Sequence, residues 1–312
     1  MPLDPVAKQF LDEITASGMP LIESMSPADA RMATEAMMSA VADVPELASV
    51  EDRHIPGPAG EIPIRVYASE ARVPQPILVY FHGGGFVIGS LTSHDPLCRV
   101  LAARIPAIVV AVDYRLAPEH PFPAAAEDAY AALCWVAEHA RALGGDPGRI
   151  AVGGDSAGGN LSAVVSLLAR ERSGPSLVHQ LLIYPVTDFS FETRSHLDNA
   201  EGYLLTRALM EWFLGHYFSG PTPRADPRFA VLRAPDLRGL PPATVLTAEF
   251  DPLRDEGESY AARLRAAGVP VEVMRYDGMI HGFFPNPALF PQAEAAIDAV
   301  ADVLRIAFGP RT

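Results

Sequence analysis

Residues 149–163 read RIAVGGDSAGGNLSA, an apolar run, then a serine among glycines, then a stretch suited to a helix. Gly154-Asp155-Ser156-Ala157-Gly158 fits G-x-S-x-G, with a strand expected just before it and a helix just after. A serine in so tight a strand-to-helix turn takes strained dihedrals, and a side chain at either flanking position would collide with the neighbouring strand or helix. The turn thereby presents Ser156 at the C-terminal edge of a sheet. The competing reading is a glycine-rich turn that only packs closely, or that holds a phosphate at a helix N-terminus. Against it, the phosphate-loop lysine is absent and G-x-G-x-x-G is not matched.

Outward from this turn, strands and helices alternate. ILVYF (77–81), AIVVAV (107–112), RIAVGG (149–154), LVHQLLIY (177–184), ATVLTA (243–248) and VEVMRY (271–276) read as strands, most of them apolar enough to be covered on both faces. Helical patterns fall at about 94–104, 124–142, 157–172, 253–267 and 291–307. This predicts an α/β fold with a doubly wound, mostly parallel sheet. EDRHIP and IPIRVY, split by Gly57-Pro58-Ala59-Gly60, add an antiparallel pair at its start. Residues 1 to about 45 carry apolar and Met positions at helical spacing, predicting amphipathic helices. The stretch between Tyr184 and Ala243 breaks the alternation with the aromatic-rich NAEGYLLTRALMEWFLGHYF and reads as an insertion.

A serine hydroxyl needs a base, and on this architecture the partners follow in the order serine, acid, histidine. Of the nine histidines, His54, His82, His94, His120 and His139 precede Ser156, His179 starts a strand, and His196 and His216 lie in the insertion. His281, just after the last strand, remains as the base. For the acid, EFDPLRDEG offers Glu249, Asp251, Asp255 and Glu256. Asp251 is best placed, at the strand's end before Pro252, although a helix N-cap role would explain it too. Asp277 is too near His281 along the chain. HGGGF (82–86) supplies three glycines after an early strand, bare backbone suited to receiving negative charge on a former carbonyl oxygen. Gly83, Gly84 and Ala157, the residue after the nucleophile, are the expected oxyanion donors. His82 is expected to brace the loop.

The net charge of −14 disfavours nucleic acid and anionic lipid as partners. No apolar run approaches the roughly 20 residues that span a bilayer, so no stable membrane association is expected. No export signal is read at MPLDPVAKQFLDEI, and the two cysteines, Cys98 and Cys134, match neither a zinc site nor a disulfide framework. A cytoplasmic location with reduced thiols is the expectation. No metal or cofactor is called for.

HGGGF, DYRLAPEHPFPAA (113–125), GDSAGG (154–159), DPLRDEG (251–257) and HGF (281–283) together resemble the hormone-sensitive-lipase-like family of α/β-hydrolase esterases. The motifs occur in the same order over about residues 77 to 284. The resemblance implies an α/β-hydrolase fold with a helical cap, formed by residues 1–45 and an insertion at about 188–222 on a catalytic domain spanning 46–312. It also implies Ser156 as nucleophile, Asp251 as acid, His281 as base, and Gly83, Gly84 and Ala157 as oxyanion hole. The expected activity is hydrolysis of short- to medium-chain acyl esters through an acyl-enzyme, with a small-molecule ester as partner. The resemblance further allows a homodimer through an edge strand. An amidase or carbamate hydrolase would use the same residues; a non-catalytic small-molecule receptor would share the fold. Asp155 reads equally as a residue that orients local backbone or as a solvated turn residue. Arg115, Glu119, Glu127 and Asp128 read as ion pairs bracing the sheet.

Overall fold

EDRHIP and IPIRVY pair as expected, β1 (Ser49–Gly57) running antiparallel to β2 (Gly60–Ala68). The turn between them closes at Gly60, whose φ of 137° suits glycine. Six further strands follow: β3 (Gln75–Phe81), β4 (Ile108–Val112), β5 (Gly145–Asp155), β6 (His179–Ile183), β7 (Ala243–Phe250) and β8 (Val271–Ile280). The computed structural model describes residues 1–39, 44–69, 74–105, 107–218 and 225–309. Among the described residues the sheet has eight strands in the order β1-β2-β4-β3-β5-β6-β7-β8, antiparallel from β1 to β4 and parallel from there to β8.

The helices are α1 (Pro5–Ser17), α2 (Pro27–Ser39), α3 (Asp95–Arg104), α4 (Ala124–His139), α5 (Ala157–Glu171), α6 (Arg194–Asp198), α7 (Arg207–Tyr217), α8 (Arg254–Ala266) and α9 (Pro291–Ala307). β3 shows why the central strands read as unbroken apolar runs. Ile77, Val79 and Phe81 pack on one face with α4, α5 and α8, while Leu78 and Tyr80 pack on the other with α3 and α9. β6 ends one residue earlier than the apolar run suggests: Tyr184 still donates its N–H to Leu246 O of β7 but, before Pro185, takes a φ of 32° that ends the strand. Of the expected cap segments, positions 40–43 and 219–222 lie outside the described residues.

Two registers position the site. Phe81 pairs with Gly154, so the loop after β3 meets the turn after β5 in the crevice where the winding reverses. Phe250 pairs with Ile280 after an irregularity at Ala248, so the next residues, Asp251 and His281, emerge side by side. The glycines of the serine turn have the expected reason. A Cβ on Gly158 would overlap the Phe81 carbonyl oxygen, and one on Gly154 would overlap the same atom.

Candidate active site

Ser156 stands between β5 and α5 with φ 55° and ψ −114°, a conformation that non-glycine residues rarely hold. The turn is held by its own backbone: Ser156 N–H donates to Ile183 O (2.8 Å), and Ser156 O accepts from Asn160 N–H (3.0 Å). His281 Nε2 lies 3.0 Å from Ser156 Oγ, and His281 Nδ1 lies 2.7 Å from Asp251 Oδ2. An ionised carboxylate only accepts, so Nδ1 carries the proton and Nε2 is free to accept the serine O–H. Asp251 is fully buried, and its Oδ1 accepts the Leu253 N–H at 2.8 Å. The imidazole therefore has one tautomer and one orientation available, and the serine hydroxyl faces a base.

The other carboxylates weighed from the sequence are engaged elsewhere. Glu249 pairs with the N-terminal amine of Met1 and accepts the Gly278 N–H. Asp255 accepts the Ser195 N–H at 2.7 Å, and Asp277 pairs with Arg275. α8 begins at Arg254, and Asp251 reaches only the Leu253 N–H before it, a local turn that steadies the carboxylate without competing with the bond to His281.

The glycine loop is set by where its carbonyls point. His82 O accepts the Tyr114 O–H (2.7 Å), Gly83 O takes the His82 Nδ1–H (2.7 Å), and Gly84 O accepts from Val87 and Ile88 N–H (3.0 and 2.9 Å). In a trans peptide the N–H points opposite to the C=O. The N–H groups of Gly83, Gly84 and Gly85 are thus aimed by partners on the far side of each peptide. Burial holds the His82 imidazole down to about 3, which keeps it neutral and consistent with a bracing role. Gly83 departs from expectation. Its N–H donates to Asp155 Oδ1 (3.1 Å) and is not open to a ligand. The N–H groups of Gly84, Gly85 and Ala157 have no hydrogen-bond partner among the described residues. The sequence reading did not include Gly85, although the third glycine of HGGG was the available signal.

Above Ser156 lies a mainly apolar cavity. Its walls come from Phe10, Ile22, Met37 and Met38 of the N-terminal segment and from Leu209, Met210 and Phe213 of α7. Both segments are fastened to the glycine loop. The Phe213 ring occupies the space that a Cβ on Gly85 would need, and Tyr217 stacks on Phe86 at 4.0 Å. Arg31 on α2 donates to Val87 O and Ala117 O and pairs with Glu119. Glu119 therefore ties α2 to the body and does not brace the sheet as expected, whereas Arg115 pairs with the fully buried Asp128.

The insertion also does something that its aromatic pattern did not announce. α6 clamps the turn that carries Asp251: Ser195 Oγ donates to Pro252 O (2.6 Å), and Asn199 Nδ2 donates to Asp251 O (3.2 Å). Beside this clamp lies a buried pair. Glu256, 1% exposed, accepts the Thr187 and Asp188 N–H groups through Oε1, and its Oε2 lies 3.3 Å from His196 Nε2. Burial raises the Glu256 carboxyl to about 8 and lowers the His196 imidazole, favouring the uncharged form of each. The folded value stands above the ordinary 4.5, so the stabilisation is complete below 4.5 and is lost as pH rises towards about 8. Glu256→Gln keeps an acceptor and cannot ionise. Its Tm should fall less between about pH 5 and about pH 9 than that of the unaltered protein. Thermal unfolding followed by circular dichroism checks this, and equal falls would contradict it.

A serine bonded to an imidazole over a buried carboxylate, on the C-terminal edge of a parallel sheet, defines a serine hydrolase site. The chain belongs to the alpha/beta hydrolase fold family, whose model matches residues 78–285. It is 47% identical over 291 residues to the carboxylic ester hydrolase LipN of Mycobacterium tuberculosis, covering 90% of this chain and 77% of that one. It is 41% identical over 250 residues to the ethyl acetate hydrolase of Pseudomonas putida, covering 78% of each. The solved structure of the ester-hydrolase EH1AB1 from the metagenome of Lake Arreo, in complex with a bipyridine phosphonate derivative, superposes with a TM-score of 0.96. That match has 44% identity and covers 99% of this chain and 100% of that one. Among the described residues no helix is long and apolar enough to cross a membrane.

Proposed function

We propose that the ester hydrolysis performed by this protein runs through Ser156, His281 and Asp251 on small esters of short to medium acyl chain. The observation that carries the reading is the unbroken hydrogen-bonded chain from Ser156 Oγ through His281 to the buried Asp251, at the foot of an apolar cavity. Ser156 Oγ attacks the ester carbonyl carbon while its proton passes to His281 Nε2. The carbonyl oxygen, now an alkoxide, is received by the N–H groups of Gly84, Gly85 and Ala157. Collapse of the intermediate expels the alcohol, which takes the proton from His281. Water then gives its proton to the same nitrogen, attacks the acyl-enzyme and releases the acid.

The walls supplied by residues 10–38 and by α7 act in this proposal as the helical cap, with Met37, Met38 and Met210 as the adaptable part of the lining. Similarity to an ethyl acetate hydrolase supports the short end of the acyl range. A series of p-nitrophenyl esters tests the substrate class. kcat/KM should peak at butanoate or hexanoate and fall by roughly tenfold or more at dodecanoate, as the chain outgrows the cavity. Rates that climb towards the longest chains would refute the chain-length reading. The proposal also carries a cytoplasmic location and a homodimer through an edge strand, for which β8 offers the outer edge of the sheet. Light scattering in solution reads the latter.

A further inference from the structure

We propose that Asp155, beside the nucleophile, is a positioning residue that fixes the direction of the oxyanion donors by holding the Gly83 peptide from behind. The inference rests on the ester-hydrolysis reading above.

Asp155 is no solvated turn residue: it is 4% exposed, at the last position of β5, with its side chain turned towards the end of β3. Its Oδ1 accepts the O–H of the fully buried Tyr80 at 2.8 Å and the Gly83 N–H at 3.1 Å. His94 Nε2 stands 3.5 Å from the same oxygen and 3.3 Å from Gly83 N, and His94 Nδ1 is 2.9 Å from Ser93 Oγ. A Cβ on Gly83 would overlap Asp155 Oδ2, so the carboxylate lies directly against the bare backbone. A buried carboxylate in such a place needs donors, and two of those it finds are a tyrosine and a peptide of the glycine loop.

The physical need for it is conformational. Three glycines in a row have no side chains to restrict φ and ψ, so the direction of each N–H is set only by hydrogen bonds on the peptides. The His82–Gly83 peptide is gripped at both ends, its C=O by Tyr114 and its N–H by Asp155 at 3.1 Å, with His94 Nε2 as a second, longer acceptor at 3.3 Å. Rotation of that peptide would carry the next one with it, and with it the Gly84 N–H. Asp155 touches no reacting atom in this scheme; it acts through Gly83.

The test uses Asp155→Ala and Asp155→Asn in the full-length protein with p-nitrophenyl butanoate. Asn keeps an oxygen able to accept both the Tyr80 O–H and the Gly83 N–H, whereas Ala leaves the Tyr80 O–H without an acceptor and the Gly83 N–H with only the longer bond to His94 Nε2 at 3.3 Å. D155A should lose about 100-fold in kcat with KM within about threefold, and D155N should keep at least about one fifth of kcat. The discriminating readout is a trifluoromethyl ketone. Ser156 Oγ bonds to its carbonyl carbon, the proton moves to His281, and the carbonyl oxygen becomes an alkoxide in the place of the reaction's oxyanion. Its affinity should fall in D155A by the same factor as kcat, while inhibition by butanoate, which forms no such adduct, stays within about threefold. An unchanged ketone affinity in D155A, kcat within about threefold of the unaltered protein, or D155N as impaired as D155A would each overturn the proposal. Should D155A not fold, D155N decides alone, a loss beyond about 20-fold counting against it. Failure of the underlying reading shows itself separately, as turnover that survives Ser156→Ala.

Discussion

Ser156→Ala is expected to lower kcat on p-nitrophenyl butanoate by about 10⁵- to 10⁶-fold, with little change in Tm. In the proposed mechanism, alanine removes the atom that forms the acyl-enzyme. What remains is the binding cavity and the backbone donors at Gly84, Gly85 and Ala157, which alone leave about 10³-fold over the uncatalysed reaction. The fold has little reason to respond. The turn is held by Ser156 N–H to Ile183 O and by Ser156 O to the Asn160 N–H, both backbone bonds that alanine keeps. Among the described residues the Ser156 hydroxyl bonds only to His281 Nε2, at the foot of the cavity, where water can replace it. A stoichiometric reaction of the unaltered protein with a p-nitrophenyl phosphonate, absent in S156A, ties the loss to this oxygen. Activity above about one hundredth in the variant would show that the ester is opened by another group.

Asp251→Asn is expected to cost about 10⁴-fold in kcat with KM nearly unchanged. Nearly isosteric, the amide can keep the acceptor for Leu253 N–H through one oxygen. Its NH₂ group then faces His281 Nδ1 and cannot accept a proton from it. The imidazole moves its proton to Nε2, which points at Ser156 Oγ from 3.0 Å and can no longer take the serine proton. The imidazolium formed during attack also loses its buried anionic partner. Steady-state kinetics with a thermal melt as control reads the effect. Retention of more than about one hundredth of kcat would mean that another group serves His281.

The serine turn was legible because its constraint is local. A side chain at position 154 or 158 meets the backbone of the neighbouring strand whatever lies further off, and the G-x-S-x-G spacing records that exclusion. The strands of the parallel sheet were legible for a similar reason, since burial on both faces demands unbroken apolar runs. Strand ends were less so: Tyr184 looks like a continuation of LLIY, yet its φ of 32° ends the strand ahead of Pro185. The amphipathic N-terminal pattern announced helices but gave no hint that Arg31 would reach the loops at Val87 and Ala117.

By itself, then, the sequence determined which groups are available: an alcohol in a strained turn, a histidine after the last strand, carboxylates at the end of β7, and glycines after β3. Only the tertiary structure decided which of them act together. The β7–β8 register, which sets Phe250 opposite Ile280, puts Asp251 beside His281 while Glu249, Asp255 and Glu256 bond elsewhere. The acceptor at Asp155 takes the N–H of Gly83 and leaves those of Gly84 and Gly85 open. The reason is one of range: steric exclusion within a turn is written in adjacent residues, whereas the direction of a hydrogen bond depends on a partner that strand pairing brings in from far along the chain.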